Sequence, residues 1–336
     1  MSPPWSGSTA MAEICLVDAV RLALERAMAD DDRVLVLGED VGRLGGVFRA
    51  TEGLQARFGP DRVLDMPLSE SIFCGVGVGL AAQGFRPVVE YQFMGFLYGG
   101  LEQLASHAAR LRNRTRGRLT CPMVVRAPYG GGVHAPELHS ESYEAVLAHV
   151  PGLRVVIPSS PRRAYGLLLA AIADPDPVVF LEPKRIYRSI TEEVVDDGQT
   201  RPLDRCEIMR DGDDLTLVSW GASLHETLAA ADQLAAEATR AEVIDVATIK
   251  PLDIATILAS VERTGRCVIV HEAPRTGGVE AEIAAQLADA GVTSLLAPVQ
   301  RVTGYDTIPP LARLEHHYLP DVARIVAAAR RVEEFA

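Results

Sequence analysis

Lysine is almost missing from this chain of 336 residues: Lys184 and Lys250 are the only two, and Asn113 is the only asparagine. Neither lysine stands in a GK[ST] loop and no serine lies in GxSxG, which excludes a P-loop nucleotide site and a hydrolase nucleophile elbow. The cysteines, Cys15, Cys74, Cys121, Cys206 and Cys267, form no CxxC pair. That argues against a disulfide framework and a cysteine zinc site, and fits a reducing compartment. The longest uncharged run, 71–85, is too short for a membrane span and carries four glycines, so no membrane association is expected. A net charge of -12 offers phosphate backbones no general attraction, so nucleic acid is not expected as a partner. The start, MSPPWSGSTAMAEICL, has no basic opening, apolar block or early arginine. Neither a secretory signal nor a transit peptide is expected, and residues 1–10 read as a disordered tail.

What is present is an alternation of two periods. LVDAVRLALERAM reads as an amphipathic helix; RVLVLGED, RPVVEYQF, CPMVVRAP, LRVVIPSS and PVVFLEP read as buried strands. Continuous apolar strands alternating with helices indicate an α/β fold with a mainly parallel sheet flanked by helices. A polar, acidic stretch at 188–205 reads as a linker, dividing a first domain at 11–187 from a second at 206–336. The second domain repeats the pattern with LTLVSWG, AEVIDV and RCVIVHEA as strands. The arginine run Arg110, Arg112, Arg114, Arg116 and Arg118 reads as a solvated helix face.

Gly77, Gly79 and Ala82 satisfy GxGxxA, but the preceding strand ends about ten residues too early for a dinucleotide fingerprint. They read instead as small residues on a buried helix that permit close packing. His134 and His139 are spaced for neither a helical pair nor zinc.

Three features sit at predicted strand ends, where parallel sheets bind ligands. Glu70 follows the strand RVLD and the turn Met66-Pro67-Leu68-Ser69. Alone it reads rather as a helix-start acid favoured by the macrodipole. GGGVHAPELHSESYE places His139 on a glycine-rich loop, where helix capping by Ser140 is the competing role. VVEYQFMGFLYGG runs from a strand into Gln92, Phe93 and Phe96, an apolar wall with one amide. An acid, an aromatic wall and a histidine at the ends of three strands of one sheet make a candidate active site.

With these residues in view, the chain from Cys15 to Phe335 resembles the beta subunit of the decarboxylating component of 2-oxo acid dehydrogenase complexes, a transketolase-like thiamine diphosphate family. LGEDVG, RVLDMPLSES, GFRPVVEYQF, GGGVHAPELHSES, PGLRVVIPSSP and IDVATIKPLD carry the resemblance. It implies a transketolase-like pyrimidine-binding domain followed by a transketolase C-terminal domain. It also implies thiamine diphosphate held between two chains, with Leu68, Ser69, Glu70, Gln92 and Phe96 around the pyrimidine and Glu39 nearby. Glu70, hydrogen-bonded to the ring nitrogen, would favour the imino tautomer that removes the thiazolium C2 proton. Phe93, Met94, Gly95 and Phe96 would line the substrate pocket. His139 would bind the substrate carboxylate or supply a proton during transfer to a lipoyl group.

The GDG motif and downstream asparagine with which this family holds the diphosphate and magnesium are absent. The resemblance therefore implies a separate alpha subunit that supplies the magnesium site, in an alpha2beta2 heterotetramer, and docking on a lipoyl acyltransferase core. A monovalent cation, potassium, would match Cys121, Met123, Val124, Ala171, Asp174 and Asp176, although ADPDP also reads as a simple helix stop. GGGVHAPELHS and FMGFLY lean toward pyruvate-type subunits of Gram-positive bacteria and a cytoplasmic location. Branched-chain 2-oxo acids and acetoin stay open as substrates. A catalytically inert assembly scaffold is the reading from another class, against which the retention of Glu70 and His139 speaks.

Overall fold

The computed structural model describes residues 11–335; the expected tail, residues 1–10, lies outside them. The first domain opens with β1 (Met11–Cys15) and α1 (Leu16–Asp30). Leu16, Val20, Ala23, Leu24 and Ala27 fall on one helical stripe, and all are buried. There follow β2 (Val34–Gly38), α2 (Leu54–Phe58), β3 (Val63–Asp65), α3 (Glu70–Ala82), β4 (Arg86–Glu90), α4 (Leu111–Arg114) and β5 (Val124–Tyr129). The domain continues with α5 (Glu144–Ala148), β6 (Arg154–Val156), α6 (Pro161–Ala173), β7 (Val178–Pro183) and β8 (Thr191–Val195). Pro161 opens α6, where its fixed φ and missing N–H cost nothing.

The second domain contains β9 (Glu207–Arg210), β10 (Leu215–Ser219), α7 (Ser223–Ala236), β11 (Ala241–Asp245), β12 (Thr248–Lys250), α8 (Ile254–Thr264) and β13 (Cys267–Pro274). It ends with α9 (Val279–Gly291), β14 (Gln300–Gly304), α10 (Ala312–Tyr318) and α11 (Val322–Glu333). Its sheet runs β14-β13-β10-β11-β9, parallel except for β9. The expected pair of mainly parallel sheets flanked by helices is what forms. Among the described residues no helix is long and apolar enough to cross a membrane.

The larger sheet runs β12-β6-β7-β5-β4-β2-β3, and only β12 is antiparallel to its neighbour. On one face α1 and α6 cover Val34, Val36, Val88, Val124 and Val178. On the other, α3 covers Leu37, Val89 and Val125 in a core that continues into the second domain through Val218, Trp220, Ile244 and Ile269. Burying one such large aliphatic or aromatic side chain is worth about 1.5–3 kcal/mol, so this shared core ties the domains together.

Two expectations are qualified by the structure, and one strand pairing was not expected. Residues 188–205 are not a plain linker, because β8 pairs antiparallel with β1, Thr191 opposite Cys15. The short strand β12 lends the second domain's chain to the first sheet, a long-range pairing that three residues cannot announce. The glycine-studded helix α3 is only half buried. Phe73, Cys74, Gly77 and Ala81 face inward, with Gly77 pressed against Val89 and Met123, while Ile72 and Val76 are exposed and Gly79 meets nothing.

Candidate active site

Four neighbouring strands, β3-β2-β4-β5, deliver the candidate residues at their carboxyl ends. Glu39 follows β2, Glu70 is the first residue of α3 after β3, Gln92 to Phe96 follow β4, and the loop to His139 follows β5. A parallel sheet directs all four segments to one edge.

His139 closes a single 3-10 turn, Glu137–His139, and its ring lies against two aromatic rings. The centroid distances are 4.4 Å to Phe93 and 5.2 Å to Phe96, both edge-on. Phe93 is backed by Phe48 at 5.5 Å and faces the Lys184 ammonium at 5.9 Å. His139 Nδ1 is buried and has no hydrogen-bond partner among the described residues. Beneath the ring, Gly95 lies directly under the Leu138 carbonyl, which occupies the space a Cβ would need. The buried Tyr143 hydroxyl donates to the Met94 carbonyl, and its ring stacks on Tyr98 at 4.3 Å. Ser140 does not cap α5, as one reading of the sequence had it; its hydroxyl donates back to the Ala135 and Pro136 carbonyls.

The same segment reaches Glu70 at its other end. Gly99 packs on the Glu70 side chain, and the Tyr91 hydroxyl, sitting where a Gly100 side chain would, donates to the Glu70 carbonyl at 3.3 Å. In the first turn of α3 a carboxylate gains about 0.3–1 kcal/mol from the helix dipole. Glu39 is buried, and its carboxyl is pushed above the usual range, first by that burial, then by the charge of Glu70 and of Asp40. Its Oε1 has no partner among the described residues. Asp40 adopts the left-handed region (φ 59°) and its carboxylate accepts from the Gln92 amide at 3.1 Å. Ser69 precedes α3 without making a side-chain cap, and Leu68 is 82% exposed. The structure thus brings Glu39, Leu68, Ser69, Glu70, Gln92, Phe93, Met94, Gly95, Phe96 and His139 to one edge.

The cation set lies away from that edge, between the start of β5 and the end of α6, and its oxygens are already engaged. The Cys121 and Met123 carbonyls accept from Met123 and Val178 N–H at 2.7 and 3.0 Å. The Asp176 carboxylate takes Arg112 Nε at 2.7 Å, and Asp174 takes Arg154 at 3.0 Å. All five arginines of the run are exposed, as a solvated face requires, and Arg112 also pairs with Asp176. The helix in this run is four residues long, and Arg110, Arg112 and Arg116 line a cavity of about 1020 Å³ with Arg154 and Lys250.

Sequence reasoning missed a buried ion triad under the site. Arg126 on β5 donates to Glu182 on β7 at 2.6 and 2.9 Å and to Glu90 on β4 at 2.7 Å. Burial raises the Glu90 carboxyl pKa, with Arg126 opposing it. A charged residue within each of three largely apolar strands was the available signal.

Residues 12–189 match the transketolase pyrimidine binding domain and residues 204–325 the transketolase C-terminal domain, so the class is that of a two-domain transketolase-type chain. Over 325 residues, 97% of this chain and 100% of the relative, it is 48% identical to the pyruvate dehydrogenase E1 component subunit beta of Bacillus subtilis. The same subunit of Staphylococcus epidermidis is 47% identical and that of Staphylococcus aureus 46%, over the same shares. The chain belongs to this family of E1 beta subunits. In fold it is similar to a split-gene transketolase solved as an inactive beta4 tetramer, with a TM-score of 0.80, 22% identity, and 97% of this chain and 100% of that one covered.

Proposed function

We propose that this chain is the beta half of a heteromeric, thiamine diphosphate-dependent enzyme that decarboxylates a 2-oxo acid, pyruvate, and passes the acyl group to a lipoyl acceptor. One observation carries the reading. An acid pair, Glu39 and Glu70, shares a sheet edge with a histidine set in an aromatic wall, in a chain similar along 97% of its length to pyruvate dehydrogenase E1 beta subunits.

The residues fit the aminopyrimidine of such a cofactor. Buried polar atoms without partners, Glu39 Oε1 and His139 Nδ1, flank the edge, and the Phe96 ring supplies an apolar wall. Leu68, Ser69, Glu70, Gln92 and Phe96 would hold it; the cofactor's thiazolium ring, when bound, would supply a nucleophilic carbon and an electron sink. Glu70 would hydrogen-bond the ring nitrogen through its carboxyl, and burial makes Glu39 resist ionising beside it. Phe93, Met94, Gly95 and Phe96 shape the substrate pocket and exclude water. His139, with Nδ1 free, binds the substrate carboxylate or delivers a proton to the departing acyl group's acceptor.

Leu68, in the turn before the helix that begins at Glu70, and Ile72 and Val76 on that helix form an exposed apolar patch, which supports an alpha subunit that would complete the site and bind the diphosphate and magnesium. Docking on a lipoyl acyltransferase core, in the cytoplasm of a bacterium, follows from the same reading and is supported by the bacterial relatives.

Glu70→Gln tests it. Assayed with the alpha partner and an artificial electron acceptor, the variant loses about 10²–10⁴-fold in turnover of pyruvate while still assembling. Unchanged turnover, as a scaffold requires, overturns the catalytic reading. Faster turnover of 2-oxoisovalerate or acetoin than of pyruvate by the unaltered pair overturns the substrate.

A further inference from the structure

We propose that Glu315, which belongs to the second domain, is a positioning residue for His139; the inference rests on the role just given to His139. Glu315 lies on α10 and is buried. Its Oε1 accepts the Gly132 N–H at 2.7 Å, and its Oε2 accepts the His134 N–H at 3.2 Å. His134 Nδ1 stands 2.8 Å from the same oxygen. One carboxylate thus receives two N–H donors of the glycine-rich loop, one on either side of Val133, bonds of the charge-assisted kind.

Besides Glu315, the Ser140 hydroxyl holds the Ala135 carbonyl at the end of that stretch, and the Arg185 side chain packs against Gly132. Gly130 N–H donates to Glu141, and His139 N–H donates to Pro136, but among the described residues no backbone–backbone hydrogen bond involves 131–135. Gly132 (φ 89°) and His134 (φ 60°) both occupy the left-handed region. For a histidine that conformation is unfavourable and persists only where surrounding contacts dictate it. Glu315 supplies those contacts by turning both N–H groups toward itself. The loop's base is fixed separately: the Lys184 ammonium donates to the Gly130 carbonyl, and the Ser142 hydroxyl donates to Glu272 Oε1 at 3.3 Å.

His139 follows the clamped residues by one proline-bounded turn and seats its ring on Phe93 and Phe96. Releasing the clamp removes the hydrogen bonds at Gly132 and His134 and lets the ring shift in its seat without altering any group at the site. The C-terminal domain therefore sets the geometry of a side chain in the first domain through one carboxylate.

Hydrogen exchange on the full chain, alone and with its alpha partner, reads the clamp without substrate. Exchange at Gly132 and His134 rises at least about tenfold in Glu315→Ala and less in Glu315→Gln, which keeps one acceptor oxygen. In the reconstituted enzyme kcat falls more than KM changes, in the same order. His134→Ala, which leaves both backbone bonds, stays within about twofold of the parent in exchange. If Glu315→Ala does not fold, Glu315→Gln decides. Unchanged exchange in folded Glu315→Gln overturns the proposal, as does faster exchange with unaltered kcat. Glu70→Gln leaves exchange in 130–139 unchanged, which separates failure of the clamp from failure of the decarboxylase reading.

Discussion

The His139 ring meets the Phe93 ring edge-on at a centroid distance of 4.4 Å and an interplanar angle of 66°. Such a contact contributes about 0.5–1.5 kcal/mol beyond the area it buries, enough to favour one orientation of the imidazole. Phe93→Leu keeps an apolar side chain there and removes the ring–ring contact. Steady-state assays of the reconstituted enzyme are expected to show kcat/KM for pyruvate reduced by about tenfold, the equivalent of the upper end of that energy. Parent-like kinetics would mean that Phe93 does not orient the histidine.

Gly95 carries the Leu138 carbonyl directly above its Cα. A methyl group at 95 forces the loop outward, a strain of about 1–3 kcal/mol by analogy with overpacked cores. In Gly95→Ala the melting temperature falls and KM for the 2-oxo acid rises, since the displaced carbonyl adjoins His139. A change in melting temperature with unchanged KM would show that the strain is absorbed elsewhere.

Glu272 lies wholly buried beneath Gly130, and burial pushes its carboxyl up to about 7 against the opposing pull of Arg185 and Lys184. The folded chain therefore binds this proton more tightly than the unfolded chain, whose carboxyl has its ordinary value of 4.5. The stabilising contribution is complete below the ordinary value and is lost as pH rises through about 7. Urea midpoints compared at acid and neutral pH are expected to fall further in the parent than in Glu272→Gln. Parallel pH dependences of the two proteins would refute the assignment.

Ile72 and Val76 are 55% and 38% exposed on the helix that starts at Glu70. Ile72→Asp with Val76→Asp leaves the fold of the isolated chain intact, because exposed positions tolerate charge. It abolishes assembly with the alpha subunit, which sedimentation velocity of the mixed chains detects. A normal heteromer from the double variant would place the partner elsewhere.

The parts of the site that were legible in the sequence are local. Glu70, His139 and Phe93 each end an apolar run, and one parallel sheet carries all those ends to the same edge. Arg126 was not legible, because its partners Glu90 and Glu182 are 36 and 56 residues away and only the strand order makes them neighbours. Glu315 is further still, 183 residues from Gly132, on a short helix whose polar sequence reads as surface. Helix α3 misled for another reason. It is apolar on every side, so its pattern predicts burial, whereas this chain covers only one flank.

That bare flank sets a rule for how the cell must make the polypeptide. Three greasy side chains in a row, Leu68, Ile72 and Val76, invite adhesion to copies of themselves whenever synthesis outruns that of the other chain. Matched output of the two polypeptides, as from one shared transcript, would keep the orphan pool small and spare the chaperones.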